Sequence, residues 1–169
     1  MLRLQSKVRV AGLTGAEVTR FFLECNDAAY RAWWPGVHLR LHPVAAGGAD
    51  HLGETVLMDE FVGSRHLRMR GVVTRVQPGR KIVWQMKKGV RLPAWLTLDL
   101  DDDDGGVTIV HTLTAGWTGP GRVLDPLLRR YLTADFAAAL DRHVHTEFPR
   151  LRDLLHPGPH PGADDRSVP

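Results

Sequence analysis

Between residues 37 and 117 the chain reads as six short β-strand signals joined by turn signals, and no other feature narrows the fold as far. The segments VHLRLH (37–42), GETVLMDEFV (53–62), HLRMRGVVTRV (66–76), KIVWQMK (81–87), AWLTLDLD (94–101) and VTIVHTLTAGW (107–117) alternate apolar and polar residues or are rich in β-branched ones. Strands with one buried face carry that pattern. AAGGAD, VGS, QPGR, GVRLP and DDDGG separate them. Connections this short imply an antiparallel meander, because a parallel pair needs a long crossover. The acidic run Asp101 to Asp104 falls where a hairpin turn is expected and lacks the alternating ligand spacing of a calcium loop.

The flanks read differently. RLQSKVRV (3–10) alternates and is predicted to be a first strand, while GAEVTRFFLEC places Val18, Phe21, Phe22 and Cys25 on one helical side. NDAAYRAWWPG opens with the N-cap residues Asn26 and Asp27 and stops at Pro35-Gly36. After Gly121 the segment RVLDPLLRRYLTADFAAALDRHVHTEFPRLRDLL is helical, broken early by Pro126 and capped again at Thr133. Phe136, Leu140, Val144, Phe148, Leu151 and Leu155 form one stripe that only the sheet is large enough to cover. Pro149 predicts a kink or a loosened turn near the end. From His156 the tail HPGPHPGADDRSVP is proline, glycine and charge, so one domain over 1–155 and a disordered tail over 156–169 are expected.

A chain of 169 residues buries roughly 70% of its unfolded surface, enough for a core or for a core with a hollow in it. The net charge of +3 comes from scattered arginines, and no basic run exceeds LLRRY or MKK, so no nucleic-acid partner is expected. Cys25 is the single cysteine, which excludes an internal disulfide and a cysteine-based zinc knuckle and fits a reducing cytoplasm. The N-terminus lacks an apolar h-region, and no run of 18 uncharged apolar residues occurs. Neither a signal peptide nor a membrane span is therefore expected, and the protein reads as cytoplasmic, with a homodimer left open.

A strand, two short helices, six antiparallel strands and a long closing helix resemble the START-like, or SRPBCC, superfamily over residues 1 to about 155. The most telling pieces are RFFLECNDAAYRAWWPG, the hairpin VQPGRKIVWQM, which is similar to a turn of polyketide-cyclase-like members, and the closing helix. The resemblance implies an α+β helix-grip fold, a curved antiparallel sheet of about seven strands wrapped around the long C-terminal helix. It also implies a hydrophobic cavity between sheet and helix. Its members range over lipid carriers, hormone receptors, cyclases and aromatases.

Period-two alternation assigns the faces. Val37, Leu39 and Leu41 point inward and His38, Arg40 and His42 to solvent; Ile82, Trp84 and Met86 point inward, as do Ala94, Leu96, Leu98 and Leu100. The third strand stays open: either Leu57, Asp59 and Phe61 face in, or Val56, Met58, Glu60 and Val62 do, and each choice brings a carboxylate inside. On the fourth strand Leu67, Met69, Gly71 and Val73 form the apolar set and send Arg68 and Arg70 outward, unless a bulge near Gly71 turns Arg70 toward that acid.

His111 shares a face with Ile109, Leu113 and Ala115. Leaving an imidazole unsatisfied there costs roughly 1–3 kcal/mol, so either a neighbour pairs with it or the face lines a wet cavity. On the long helix Glu147 lies near the centre of the apolar stripe, with His143 one turn before it, and the two are spaced to pair; a kink at Pro149 would instead rotate Glu147 to the surface. His143 and His145 are about 200° apart and cannot share an ion. His143, Glu147 and His111 could form a facial triad, but nothing in the spacing demands it, and no metal is expected. Trp33, Trp34 and Trp117 stand at the expected mouth, with Pro35-Gly36 and the GWTGPG loop as its flexible edges.

The expected function is carriage or sensing of a hydrophobic small molecule in a cavity lined by Met69, Ile82, Trp84, Met86, Leu96, Leu98, Ile109, Leu113 and Leu140. His111 would orient a ligand hydroxyl or carbonyl, with His143, Glu147 and a strand-three carboxylate nearby. Two alternatives stay open. One is a cyclase- or aromatase-like enzyme in which His111 removes a proton α to a carbonyl and Glu147 or Asp59 sets its tautomer, with no cofactor. The other is a filled core whose exposed tryptophan pair and arginines bind a partner.

Overall fold

Strand β1 (Leu2–Ala11) opens the chain, with Ser6, Val8 and Val10 turned inward. The computed structural model describes residues 1–117 and 119–158. Two short helices follow. Helix α1 (Gly15–Glu24) begins where the Thr14 hydroxyl accepts from the Glu17 N–H and the Glu17 carboxylate accepts from the Thr14 N–H, a reciprocal cap. Helix α2 (Asp27–Trp33) starts at Asn26, whose side chain accepts from the N–H groups of Ala28 and Ala29.

The meander consists of β2 (His38–Ala45), β3 (Thr55–Val62), β4 (Arg65–Gln77), β5 (Lys81–Lys88), β6 (Val90–Asp103) and β7 (Gly106–Ala115). With β1 they form one seven-stranded antiparallel sheet in the order β1-β7-β6-β5-β4-β3-β2. Helices α1 and α2 carry the chain from one edge strand to the other. The acidic run is a hairpin, as expected: β6 ends at Asp103 and Gly105 takes φ +99°, a backbone angle that glycine adopts without steric cost.

A short 3-10 turn (Gly119–Leu124) and helix α3 (Asp125–Tyr131) lead to the long helix α4 (Ala134–Leu155), whose first turn is capped by the Thr133 hydroxyl accepting from the Phe136 N–H. Helix α4 continues through Pro149 to Leu155. Glu147 is 6% exposed and stays inside. The tail expected to be disordered lies, from residue 159 on, outside the described residues.

The core is divided along α4. Its second half buries Val144, Phe148 and Leu151 against Phe22, Trp33 and Trp84, with ring centroids 5.5–6.5 Å apart. Phe148 is fully buried there, and truncating such a ring costs about 3–5 kcal/mol. The first half of α4 contributes Phe136 and Leu140 to a separate, smaller group with Val62 and Leu67. Space remains beside that group.

Candidate functional site

A cavity of about 150 Å³ lies between the inner sheet face and the segment from α3 into α4. Its wall is apolar: Met69, Met86, Leu96, Leu113 and Leu140 are the sequence-predicted residues that line it. Leu128, Tyr131 and Leu132 close the side nearest solvent. Glu60 and His111 add the charged and titratable groups at one end, and both continue into a neighbouring space of about 40 Å³, the size of one or two waters, lined also by Leu98, Tyr30, Trp33, His143 and Glu147.

Several expected pocket residues belong elsewhere. Ile82, Trp84 and Ile109 face inward as alternation predicts but line neither space, because Phe22 and Phe148 fill the volume over that end of the sheet. Trp33 is 2% exposed and forms a wall of the inner space, so it does not stand at a mouth or on a binding surface. Its indole N–H donates to the Glu147 carbonyl at 2.6 Å and pins α2 to α4. Trp34 borders a shallow outer groove and packs its ring against His143 at 4.9 Å, with the Arg150 guanidinium 5.1 Å from the same ring. Trp117 lies off the cavity wall, its backbone N–H donated to the Asp125 carboxylate. Of the GWTGPG loop, Thr118 lies outside the described residues.

Strand β3 resolves its ambiguity with Val56, Met58, Glu60 and Val62 inward. Asp59 is therefore on the outer face and cannot touch a ligand or set a His111 tautomer. It accepts from His66 at 2.6 Å and has Arg40 and Arg68 at 3.6 and 3.8 Å. Arg70 remains exposed.

The largest departure is His38, expected in solvent and found 0% exposed. A bulge between His38 and Arg40 inserts one residue opposite β3, so that His38 sits across from Glu60 while Leu41 sits across from Met58, both on the inner face. Plain alternation cannot place residues 38 and 41 on one side, and nothing in VHLRLH announces the bulge. His42 does lie toward the surface, paired with Asp27 at 2.7 Å.

His38 completes a group of four, three of them buried and Glu60 half-buried. Helix α4 supplies His143 and Glu147 one turn apart, β3 supplies Glu60, and the four facing N and O atoms all lie within 4.8 Å of one another. The imidazole-to-carboxylate separations are 3.3 Å for His143–Glu147, 3.6 Å for His38–Glu147, and 3.7 Å for both His38–Glu60 and His143–Glu60. These are charge contacts rather than directed hydrogen bonds, which run about 2.7–3.2 Å. Nε2 of His143 and both ring nitrogens of His38 have no hydrogen-bond partner. The Tyr30 hydroxyl donates to Glu60 at 2.6 Å, and the Tyr30 ring stacks on His38 at 4.2 Å.

Electrostatics follow from this packing. Burial alone would raise the Glu147 pKa, but the facing imidazoles of His143 and His38 outweigh it and hold the group at about 2. Burial likewise opposes protonation of His143, and the two carboxylates overcome it and push the imidazole up to about 10. For Glu60 burial is again the largest effect, and His143 more than offsets it, lowering the pKa. His111 is the reverse case: burial lowers its pKa, and the attraction of Glu147 and Glu60 recovers only part. Burial thus favours its neutral form; its Nδ1 is unpartnered, and it stands outside the group of four, so the triad of His143, Glu147 and His111 that the sequence left open is not assembled here.

Among the described residues no helix is long and apolar enough to cross a membrane. No curated protein matches the sequence. Solved structures share the fold. The chain is similar to TTHA0849 from Thermus thermophilus at 14% identity and TM-score 0.61, over 91% of this chain and 97% of the other. It is similar to MLL2253 from Mesorhizobium loti at 11% identity and TM-score 0.53, over 91% and 96%. A START superfamily protein from Mycobacterium smegmatis aligns at 16% identity and TM-score 0.50, over 84% and 96%. The helix-grip fold is thus shared, and residues 1–145 match the model of one family within it: the chain belongs to the polyketide cyclase / dehydrase and lipid transport family.

Proposed function

We propose that the protein binds a small, mostly apolar molecule carrying one polar group, with its ring or chain in the 150 Å³ cavity and its hydroxyl or carbonyl toward His111. The observation that carries this reading is the cavity itself: space bounded by Met69, Met86, Leu96, Leu113 and Leu140, with titratable groups at one end. A few convergent polar groups in an apolar pocket are what small-molecule sites have in common. The volume suits one or two fused rings, and 2-naphthol is an apt probe. Calorimetric titration with 2-naphthol should show saturable binding to the wild type and at least about tenfold weaker binding to Leu113→Trp, whose larger ring fills the cavity. Equal affinity in both proteins would put the ligand elsewhere.

One observation favours a second reading, proton abstraction α to a carbonyl: His111 has a buried, unpartnered Nδ1 and a pKa that burial lowers, as a free base requires. Exchange of the α-protons of a cyclic monoketone into D2O tests it. Base catalysis requires the wild type to accelerate exchange and His111→Phe to lose the acceleration, whereas simple carriage leaves both at the uncatalysed rate.

A further inference from the structure

The group of four differs from the other histidine–carboxylate pairs of the described structure: exposed His145 also stands 3.6 Å from a carboxylate, that of Asp141, but its ring nitrogen is hydrogen-bonded to the Asp141 carbonyl at 2.9 Å. His66 meets Asp59 at 2.6 Å, His42 meets Asp27 at 2.7 Å, His156 meets Glu17 at 2.9 Å and His51 meets Glu54 at 3.1 Å, each at hydrogen-bond length. In the group of four two imidazoles and two carboxylates instead hold one another at 3.3–3.7 Å. The unpartnered Nε2 atoms of His38 and His143 both point into the space between.

Those separations have a simple geometric meaning. Four ligand atoms arranged tetrahedrally about an ion at bonds of about 2.0–2.1 Å stand about 3.3–3.4 Å apart. The four N···O distances lie within a few tenths of an ångström of that spacing. The charge fits as well, since two neutral imidazoles and two carboxylates sum to −2, which a divalent cation cancels.

We propose that His38, Glu60, His143 and Glu147 form a binding site for one divalent transition-metal ion, with zinc the best match to two nitrogens and two oxygens in tetrahedral array. The ion binds imidazole nitrogens in their neutral form, so any proton held on a ligating nitrogen leaves to solvent on binding. The scaffold is rigid: the His143 and Glu147 pair spans one turn of α4, His38 and Glu60 are directly opposed across β2 and β3, and the Tyr30 hydroxyl fixes the Glu60 carboxylate. Loaded, the site ties the long helix to the edge of the sheet beside the cavity. The inference does not depend on what the apolar cavity binds, because the titration that tests it contains no organic ligand.

The test uses the full chain stripped with a chelator and titrated with zinc, then separately with cobalt(II). We expect one zinc per chain, a melting temperature raised by about 5 °C or more at a hundredfold excess over Kd, and a visible cobalt spectrum of tetrahedral type. His38→Gln and His143→Gln should each weaken zinc by more than the about 10–100-fold that outer-sphere changes cause. The cobalt spectrum of the wild type reads the site directly if either variant fails to fold. Absence of saturable binding, an octahedral cobalt spectrum, or zinc affinity unchanged in both folded variants would each overturn the proposal.

Discussion

Asp59 and Glu60 are consecutive residues on β3 and face opposite sides of the sheet. Outside, Asp59 is met by a histidine at hydrogen-bond distance and by Arg40 and Arg68, whose side chains are 50% and 60% exposed. Inside, Glu60 and Glu147 are met only by histidines at 3.3–3.7 Å and by the Tyr30 hydroxyl. A carboxylate whose cations can turn to water is part of an ordinary surface network. Inside, Glu60 keeps a directed bond from Tyr30, while the imidazole contacts of Glu60 and Glu147 stay beyond hydrogen-bond length. The contrast separates, on two neighbouring side chains, a charge tied into a surface network from one the proposed metal site would use.

The most severe way to break that contrast is His143→Leu, which leaves Glu60 and Glu147 buried against each other with only His38 between them. An uncompensated buried charge costs about 3–5 kcal/mol, read as a shift in urea midpoint with an unchanged slope. Filling the cavity with Leu113→Trp should cost about 1–3 kcal/mol and abolish most 2-naphthol binding, which separates the apolar site from the charged group. Asp59→Asn should cost only about 1 kcal/mol in the same urea assay, because its basic partners regain water. A loss from Asp59→Asn as large as that from His143→Leu would erase the difference between the two faces.

The smallest effect concerns the buried Cys25 thiol, whose hydrogen-bond partner is the Asn26 carbonyl at 3.5 Å. Burial pushes the Cys25 thiol up to about 12, so the folded chain keeps a proton that the unfolded chain releases above about pH 9. The unfolded state then binds fewer protons, and stability falls as pH rises through that window. Cys25→Ala should flatten the fall between pH 9 and 10.5 in thermal melts, and Cys25 in the folded wild type should react slowly with thiol reagents at pH 8.

The element order was readable because its signals are local: alternation for the strands, Asn26 and Thr133 as caps, one stripe for α4. The direction in which β3 faces was not. Leu57 and Asp59 on one side and Val56 and Met58 on the other are all buried, so neither face stands out as the wet one. His38 was misplaced because a bulge shifts the period by one residue and leaves no mark in composition. Ile82, Trp84 and Ile109 show a further limit. Alternation gives the face of a side chain, whereas its place over cavity or solid core depends on how far along α4 the aromatic rings of Phe22 and Phe148 reach.

The most direct test of the account is a methyl and imidazole NMR map of the protein titrated with 2-naphthol. Binding inside the sheet predicts shifted signals for Leu113, Leu140, Met69 and Met86 and for the His111 ring, with Leu57 and Val44 on the outer side unmoved. Shifts confined to Leu57 and Val44, or no shift at saturating probe, would contradict it.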